Sequence, residues 1–318
     1  MAAEIEVVHP GWLSLVVDAG RPGHADIGVP PSSALDSLAF ATLNRLLANR
    51  PGTSALEVCG TPFSIIFSDA IRFAITGARV AAFLDGAPVE PWATFQARPG
   101  SRLMVSAVIE GFRYYVGFAG RMDLPEIIGS YSTNLECMFG GFKGRPLMRG
   151  DRITMRDAGM TAPKAVPEPL LPPMKPPHLL RILEGPEKNF FTADSLDIFC
   201  NMGKNMCYAV SAKSNRTGIR LEGDLMVFAQ GAAESIVSEG ILPGTVQVPP
   251  DGKPIIVLFE RTMGGYARAG VVIAADLDRL AHLKPKDPVS FSVVTPEEAV
   301  RLTALRKRYV SSLEEALS

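Results

Sequence analysis

The chain has 318 residues, a formal net charge of −1, 47% hydrophobic residues and 20% charged residues. This length favours two domains with substantial cores, and the balanced charge gives no electrostatic basis for binding nucleic acid or an anionic membrane. No stretch approaches the roughly 20 apolar residues of a membrane-spanning helix, and the first ten residues lack the apolar core of a signal peptide. We therefore expect a cytoplasmic protein that binds neither nucleic acid nor membrane.

Cysteine and histidine are too scattered to predict a disulfide framework or a metal site. The four cysteines, Cys59, Cys137, Cys200 and Cys207, contain no C-x-x-C pair, so a reduced setting fits better than a disulfide scaffold. The four histidines are equally dispersed along the chain. We therefore predict no metal site from the sequence.

Short strands are predicted through most of the first half of the chain. Glu4–Val8 and Trp12–Val17 are β-branched runs on either side of a Pro-Gly turn. Between residues 55 and 108 several further runs, including Ile71–Thr76 and Ala81–Leu84, follow one another closely. Parallel pairing would need long crossovers, so this spacing indicates an antiparallel sandwich or barrel.

One loop and one helix interrupt these strands. The loop Asp18–Pro30 is rich in glycine and proline and contains Arg21, which suits either a ligand contact or a shaped corner. The helix is predicted to begin at Ser33, with Asp36 three residues on as in a capping box.

A proline-rich stretch separates the two halves. Seven prolines occur between Pro163 and Pro177, which excludes a helix or a central strand and predicts an extended spacer. The alternative is a proline motif for a small recognition domain. The predicted domains are thus residues 1–162 and 179–318, joined by a linker over 163–178.

The second half again favours strands with short helices. A capping residue and a proline, Thr295 and Pro296, begin a final helix whose apolar face carries Ala299, Leu302 and Leu305. We expect that helix to pack on the second lobe. The whole chain is predicted to be mainly β, with two similar lobes and a few short helices.

Polar side chains between glycine and proline turns mark residues 214–266 as the candidate functional segment. Its charged and amide side chains recur between enforced turns, which suggests several turns that converge on a polar pocket. Within this segment Arg220 and Glu222 are instead predicted to form a buried ion pair that braces the turns.

Motifs along nearly the whole chain resemble the biotin-dependent carboxyltransferase family, also called allophanate hydrolase subunit 2. The family includes the C subunit of 5-oxoprolinase, the Kip-inhibitor antagonist and the carboxyltransferase portion of urea carboxylase. The motifs that carry this resemblance are Asp18–Pro30, Thr76–Ala78, Gly129–Thr133, Gly140–Asp151, Ser214–Gly223, Ser238–Pro249 and Gly264–Tyr266.

The resemblance implies two cyclophilin-like β-barrel lobes, a substrate cleft and a B-type partner subunit. In the oxoprolinase branch, subunits A, B and C together hydrolyse 5-oxoproline to glutamate using ATP. In the urea carboxylase branch a carboxyl group moves from carboxybiotin to urea, and the biotin must be on another polypeptide. The Kip-antagonist branch implies a binding and regulatory protein instead. No cofactor is expected on this chain alone.

The resemblance implies a lactam- or urea-like substrate, which is a planar amide. A planar amide needs a carboxylate facing its N–H and a cation or amide donor facing its carbonyl oxygen, and a carboxylate whose pKa is raised by burial can take the amide proton. Together, the resemblance and the residue chemistry give the predicted site. The predicted catalytic residues are Glu239, Gln247, Glu260 and Arg261. The predicted substrate-binding residues are Asn215, Arg216, Tyr266 and Arg21.

Three departures from the family pattern bear on the substrate. The run that reads D-R-Q-T-T-G-G-Y in the family reads E-R-T-M-G-G-Y here, from Glu260 to Tyr266. The family pattern R-M-G-Y is replaced by R-T-G-I, which begins at Arg216. A pair of glycines that is usual in the family is Gly120-Arg121 in this chain. Losing an amide and a hydroxyl changes what a polar pocket can bind, because each buried donor needs a partner. We expect specificity to have diverged at the Glu260–Tyr266 end.

Overall fold

The computed structural model describes residues 3–157, 159, 162–200 and 208–318, so Cys207 lies outside the described residues. The described residues form two compact units. Unit 1 takes those within Met1–Arg21, Ser32–Met174 and Tyr309–Ser318, and unit 2 takes those within Pro22–Pro31 and Lys175–Arg308. The predicted fold class, mainly β with two barrel-type lobes, is confirmed. The predicted limits of 1–162, 163–178 and 179–318 stay a prediction.

Unit 1 is built on a ten-stranded sheet with one α-helix against it. Its core contains fully buried aromatic side chains such as Phe63, Phe67 and Phe73. The strands are β1 (Ala3–Pro10), β2 (Leu13–Val17), β3 (Ala55–Cys59), β4 (Phe63–Phe67), β5 (Ile71–Leu84), β6 (Ala87–Val89), β7 (Thr94–Ala97), β8 (Arg102–Phe118), β9 (Arg121–Met122) and β10 (Arg152–Arg156), and the helix is α1 (Ser37–Leu46).

One strand of this sheet is longer than the sequence predicted. The runs predicted at Ile71–Thr76 and Ala81–Leu84 form the single strand β5, which pairs with β8 along its length. The register shifts near Gly77, where φ is +83° and a side chain would meet the Arg113 carbonyl. The glycine therefore marks an irregularity within a strand, not a turn that ends one.

The helix α1 begins later than predicted because Asp36, not Ser33, is its cap. The Asp36 carboxylate accepts a hydrogen bond from the backbone N–H three residues on at 2.8 Å. The Asp36 N–H donates to the Tyr115 hydroxyl at 2.8 Å, and this hydroxyl donates to Glu57 at 2.9 Å. A buried network thus fixes the start of the helix on the sheet.

The proline-rich segment packs on unit 1 as far as Met174. The Val166 N–H donates to the Trp92 carbonyl at 2.9 Å, and Val166 and Met174 are buried in a core cluster that also includes α1 residues. A short 3-10 helix, Glu168–Leu170, lies within this segment. This part of the predicted spacer is therefore integrated with a folded unit.

Unit 2 contains a closed barrel in the order β11-β18-β15-β16-β13-β12-β19, and a separate pair, β14 with β17. Fully buried Leu180, Ile182, Val246, Ile256 and Phe291 are part of its core. The strands are β11 (His178–Glu184), β12 (Tyr208–Val210), β13 (Gly218–Gly223), β14 (Glu239–Gly240), β15 (Thr245–Val248), β16 (Ile255–Val257), β17 (Met263–Gly264), β18 (Ala267–Val272) and β19 (Pro288–Val293).

Several helical segments accompany the barrel strands. Those of unit 2 are α2 (Ala193–Cys200) and the 3-10 helices Ala25–Ile27, Lys188–Phe190 and Ala274–His282. The final helix, α3 (Pro296–Ala316), begins after Thr295 as predicted. Up to Arg308 the helix belongs to unit 2, in agreement with the prediction that it packs on the second lobe, but its last turns belong to unit 1, where Leu313 and Leu317 are buried. No helix in the described part of the chain is long and apolar enough to span a membrane.

A buried histidine makes the stability of unit 2 depend on pH. His178 Nε2 lies 3.2 Å from Asp287 Oδ2, but burial outweighs this carboxylate and lowers the pKa of His178 below its ordinary value of 6.5. Just below pH 6.5 the unfolded chain binds a proton at His178, whereas the folded chain keeps this side chain neutral. The free energy of unfolding therefore decreases as the pH falls below about 6.5.

We therefore expect the free energy of unfolding to fall more between pH 8 and pH 5.5 in the native protein than in His178→Gln. Urea unfolding across that range measures both slopes. The exposed His9→Gln should keep the native slope. Equal slopes in the native protein and His178→Gln would contradict this account.

Candidate functional site

Unit 2 contains a pocket of about 610 Å³ on the wall of its barrel. Strands β13, β15 and β16 supply its floor, through Gly218, Gln247 and Ile255 among others. Their sequence neighbours Ile219, Val246 and Ile256 are almost fully buried. Successive side chains of a strand point to opposite faces, so the pocket lies on the face opposite the barrel core.

The pair β14 and β17 covers one side of this floor. The two strands pair antiparallel, with Glu239 opposite Gly264. Flanking backbone hydrogen bonds extend the pairing, from Ile241 N–H to the Thr262 carbonyl at 3.0 Å and from Ile236 N–H to the Gly265 carbonyl at 2.8 Å. The segments before and after these strands are thereby held over the pocket.

Four of the eight predicted site residues line this pocket: Asn215, Gln247, Arg261 and Tyr266. Asn215 Oδ1 accepts hydrogen bonds from the N–H groups of Thr217 at 2.9 Å and Gly218 at 3.1 Å, which shapes the turn into β13. Gln247 is 6% exposed and Tyr266 is 41% exposed. The structure therefore brings together an amide on the floor and a phenol at the rim.

Arg216 and Glu260 face each other away from solvent. The Arg216 Nε atom lies 3.0 Å from Glu260 Oε1, and each side chain is 3% exposed. Neither lines the pocket, but each precedes a residue that does, Thr217 and Arg261. This buried ion pair joins the turn before β13 to the segment after β16 and holds those two edges of the pocket together.

The predicted buried ion pair between Arg220 and Glu222 is wrong. Both residues are exposed, and the Glu222 carboxylate accepts a hydrogen bond from the Ser211 hydroxyl at 2.5 Å. Arg220 lies on the same face of β13 as Gly218 and lines the pocket. Sequence analysis missed this position, although a period of two from Gly218 indicates it.

Glu239 lies beside the pocket and forms an ion pair with Arg268. Its side chain is 57% exposed, and one oxygen lies 3.1 Å from Arg268 Nη2. The same arginine also donates to Glu187 at 2.7 and 2.5 Å, which lowers the pKa of Glu187. Sequence analysis missed Glu187, and no motif points to it.

Arg21 belongs to unit 1, where it is 1% exposed. Its guanidinium donates to the Ser132 carbonyl at 2.6 Å and lies 4.8 Å from the centre of the Phe139 ring. The neighbouring Asp18 accepts hydrogen bonds from the Ser130 hydroxyl at 2.6 Å and the Ser132 hydroxyl at 2.8 Å. In unit 1 these motif residues bind one another and fix the loop conformations.

Metal coordination has no candidate in the described part of the chain, where no group of three or more His, Cys, Asp or Glu side chains is arranged to hold an ion. The donors around the pocket are amide, hydroxyl and guanidinium groups. Such groups suit a polar organic ligand better than a divalent cation.

Comparison with known proteins assigns most of the chain to the family that its sequence motifs resemble. Residues 27–293 match the family model described as carboxyltransferase domain, subdomain A and B. The chain is 32% identical over 310 residues to the C subunit of 5-oxoprolinase from Escherichia coli, covering 97% of each. It is 30% identical to urea amidolyase of Saccharomyces cerevisiae, covering 98% of this chain and 18% of the relative.

Solved structures agree with this assignment. The crystal structure of Kluyveromyces lactis urea carboxylase superposes with a TM-score of 0.89 at 27% identity. It covers 99% of this chain, while this chain spans 30% of that polypeptide. The crystal structure of Kluyveromyces lactis urea amidolyase also gives a TM-score of 0.89 at 27% identity. It covers 98% of this chain, and this chain spans 20% of that polypeptide. The resemblance drawn from the sequence motifs is confirmed.

The buried ion pair gives a stability prediction. Glu260→Ala leaves the Arg216 guanidinium buried without this partner, so we expect the free energy of unfolding to fall by about 3–5 kcal/mol. Replacing both partners, as Arg216→Met with Glu260→Leu, should cost less than Glu260→Ala alone, because neither charge of this pair is then left buried without the other.

Urea unfolding of these variants tests this, with the exposed Arg220→Ala as the matched arginine control. That control should stay within about 0.5 kcal/mol of the native protein. A Glu260→Ala protein as stable as the control would show that the pair contributes little.

Proposed function

This chain belongs to the carboxyltransferase family with subdomains A and B, and we propose that it is the substrate-binding subunit of an ATP-dependent complex of the 5-oxoprolinase type. The substrate is 5-oxoproline or a closely related cyclic amide. A B-type subunit, together with an A subunit, supplies the ATP-dependent activation in the cytoplasm. The match to the C subunit of 5-oxoprolinase over 97% of both chains supports this assignment.

The charge of the pocket is the observation that carries the proposal. Arg220 and Arg261 line it, and none of the described residues that line it is an aspartate or a glutamate. An anionic ligand is attracted to two cations of this kind, whereas a neutral ligand gains little from them. 5-Oxoproline carries a carboxylate and urea does not, so the pocket favours the anionic lactam.

The proposed roles follow from which groups face the pocket. Gln247 binds substrate and does not transfer protons, because a carboxamide has no titration in the physiological range. Arg261 offsets the negative charge that develops on the lactam oxygen when the ring is opened. Glu260 holds Arg216 and Glu239 meets Arg268, so their proposed role is to position pocket segments instead of acting as bases.

A carboxyltransferase function is the second candidate. The likeness to urea carboxylase, with a TM-score of 0.89, favours it. Carboxybiotin on a partner polypeptide would supply the transferable carboxyl group. Arg220 and Arg261 fit that group because both are cations in the pocket lining and its carboxylate is an anion.

We expect the chain, purified with its B-type and A partners, to release glutamate from 5-oxoproline only when ATP is present. Arg261→Ala should lower kcat/KM by about 10- to 100-fold, the size of one charge-assisted hydrogen bond. Glutamate release measured by a coupled assay gives both results.

Lys213→Met is the matched control, because Lys213 is an exposed cation that does not line the pocket. It should leave kcat/KM within about twofold, as expected for an exposed charge. Absence of ATP-dependent turnover with the complete set of subunits would rule out the oxoprolinase assignment. Carboxylation of urea by the chain with a carboxybiotin carrier would support the second candidate.

A further inference from the structure

Gln247 has an unusual environment for a buried amide. The residue is 6% exposed, yet it lines the pocket. Among the described residues, the carboxamide makes a single hydrogen bond, from Nε2 to the Tyr266 carbonyl at 3.5 Å. This distance is at the outer limit for such a bond, whereas buried polar groups normally have well-formed partners.

Gly264 determines where this carboxamide lies. A side chain at Gly264 would overlap the Gln247 amide group, and the backbone of Gly264 is not in the left-handed region. A side chain at position 264 would therefore displace the Gln247 carboxamide, which is the end of a flexible side chain. Gly240 lies on the paired strand of the same small sheet, and there a side chain would meet nothing closer than the Thr262 carbonyl at 3.9 Å.

We infer that Gln247 is the specificity-determining residue for the cis-amide edge of a cyclic substrate, with Gly264 as its positioning residue. This inference deepens the proposed function and rests on it for the choice of ligand. A primary carboxamide presents an N–H donor and a C=O acceptor side by side. A lactam ring holds its own N–H and C=O on one edge in the same way, so the two groups pair through two antiparallel hydrogen bonds.

The rest of the pocket determines which lactam enters. Arg220 lies on the same face of β13 as Gly218, which is part of the pocket floor. Among the described residues the Arg220 guanidinium forms no ion pair, and the residue is exposed. It can therefore bind a carboxylate on the ring carbon next to the nitrogen. The ligand class is a small lactam that carries an acidic substituent.

Binding of two probes to the full chain, alone and assembled with its B-type partner, tests the inference. The probes are 5-oxoproline and the lactone 5-oxotetrahydrofuran-2-carboxylate, which has a ring oxygen in place of the N–H. We expect the native protein to bind the lactam about 10- to 100-fold more tightly, because the lactone leaves the Gln247 oxygen without a donor. Titration calorimetry measures both dissociation constants.

The variants separate recognition from folding. Gln247→Met should bring the two dissociation constants to within about threefold, since the paired donor and acceptor are lost. Gly264→Ala should reduce the preference as well, while Gly240→Ala keeps it. Thermal unfolding of each variant shows whether it is folded, and the comparison of the two probes on the native chain requires no variant.

Equal affinity of the native protein for lactam and lactone would overturn the inference, as would a full preference in folded Gln247→Met. Absence of binding both alone and in the complex would also overturn it. Failure of the proposed function gives a different result, in which the lactam preference depends on Gln247 but the complete complex does not open the ring. ATP-dependent turnover without a Gln247-dependent preference would retain the function and reject the inference.

Discussion

The buried ion pair between Arg216 and Glu260 is the contact on which the pocket of unit 2 depends. The two residues are 44 positions apart in the sequence, and each adjoins a lining residue of the pocket. Removing two charges from water is costly, and the cost is offset only when the pair is well aligned. The pair joins the turn before β13 to the segment after β16, and each of these carries a residue that lines the pocket.

A comparable constraint organises unit 1, with hydrogen bonds in place of an ion pair. Asp18 binds the hydroxyls of Ser130 and Ser132, and Arg21 binds the Ser132 carbonyl. Gly140 adopts a φ of +71° where a side chain would overlap that same carbonyl. Three sequence motifs that look independent along the chain are thus parts of one buried network. In this unit the motifs stabilise a loop conformation.

The sequence was sufficient to predict the mainly β class and most strands, because alternation and turn residues are local properties. It also predicted α3 from Thr295, whose hydroxyl accepts the Glu298 N–H at 3.2 Å. It was not sufficient to pair the charges. Arg220 and Glu222 are neighbours in sequence and were predicted to form an ion pair, whereas the partner of Arg216 is on a distant segment.

The same limit applies to the candidate site. Gln247 and Arg261 were identified because polar residues between glycine turns stand out from a barrel sequence. Glu239 is excluded from the pocket lining by the face of β14 that it occupies and by its contact with Arg268, whereas Glu260 lies in a turn and faces Arg216. The face that Glu239 occupies is a property of pairing register, because a one-residue difference in register moves a side chain to the other face of a strand. The contact of Glu260 depends on a residue 44 positions away in the sequence.

The most direct test of the account is to observe the Gln247 carboxamide while ligand binds. In a nitrogen-labelled sample of the full chain, the side-chain N–H signals of Gln247, assigned by their loss in Gln247→Met, are followed during titration with 5-oxoproline. The account predicts a saturable shift of these signals, with further shifts at residues that line the pocket. Saturable binding that leaves the Gln247 signals unchanged, with shifts confined to unit 1, would contradict it.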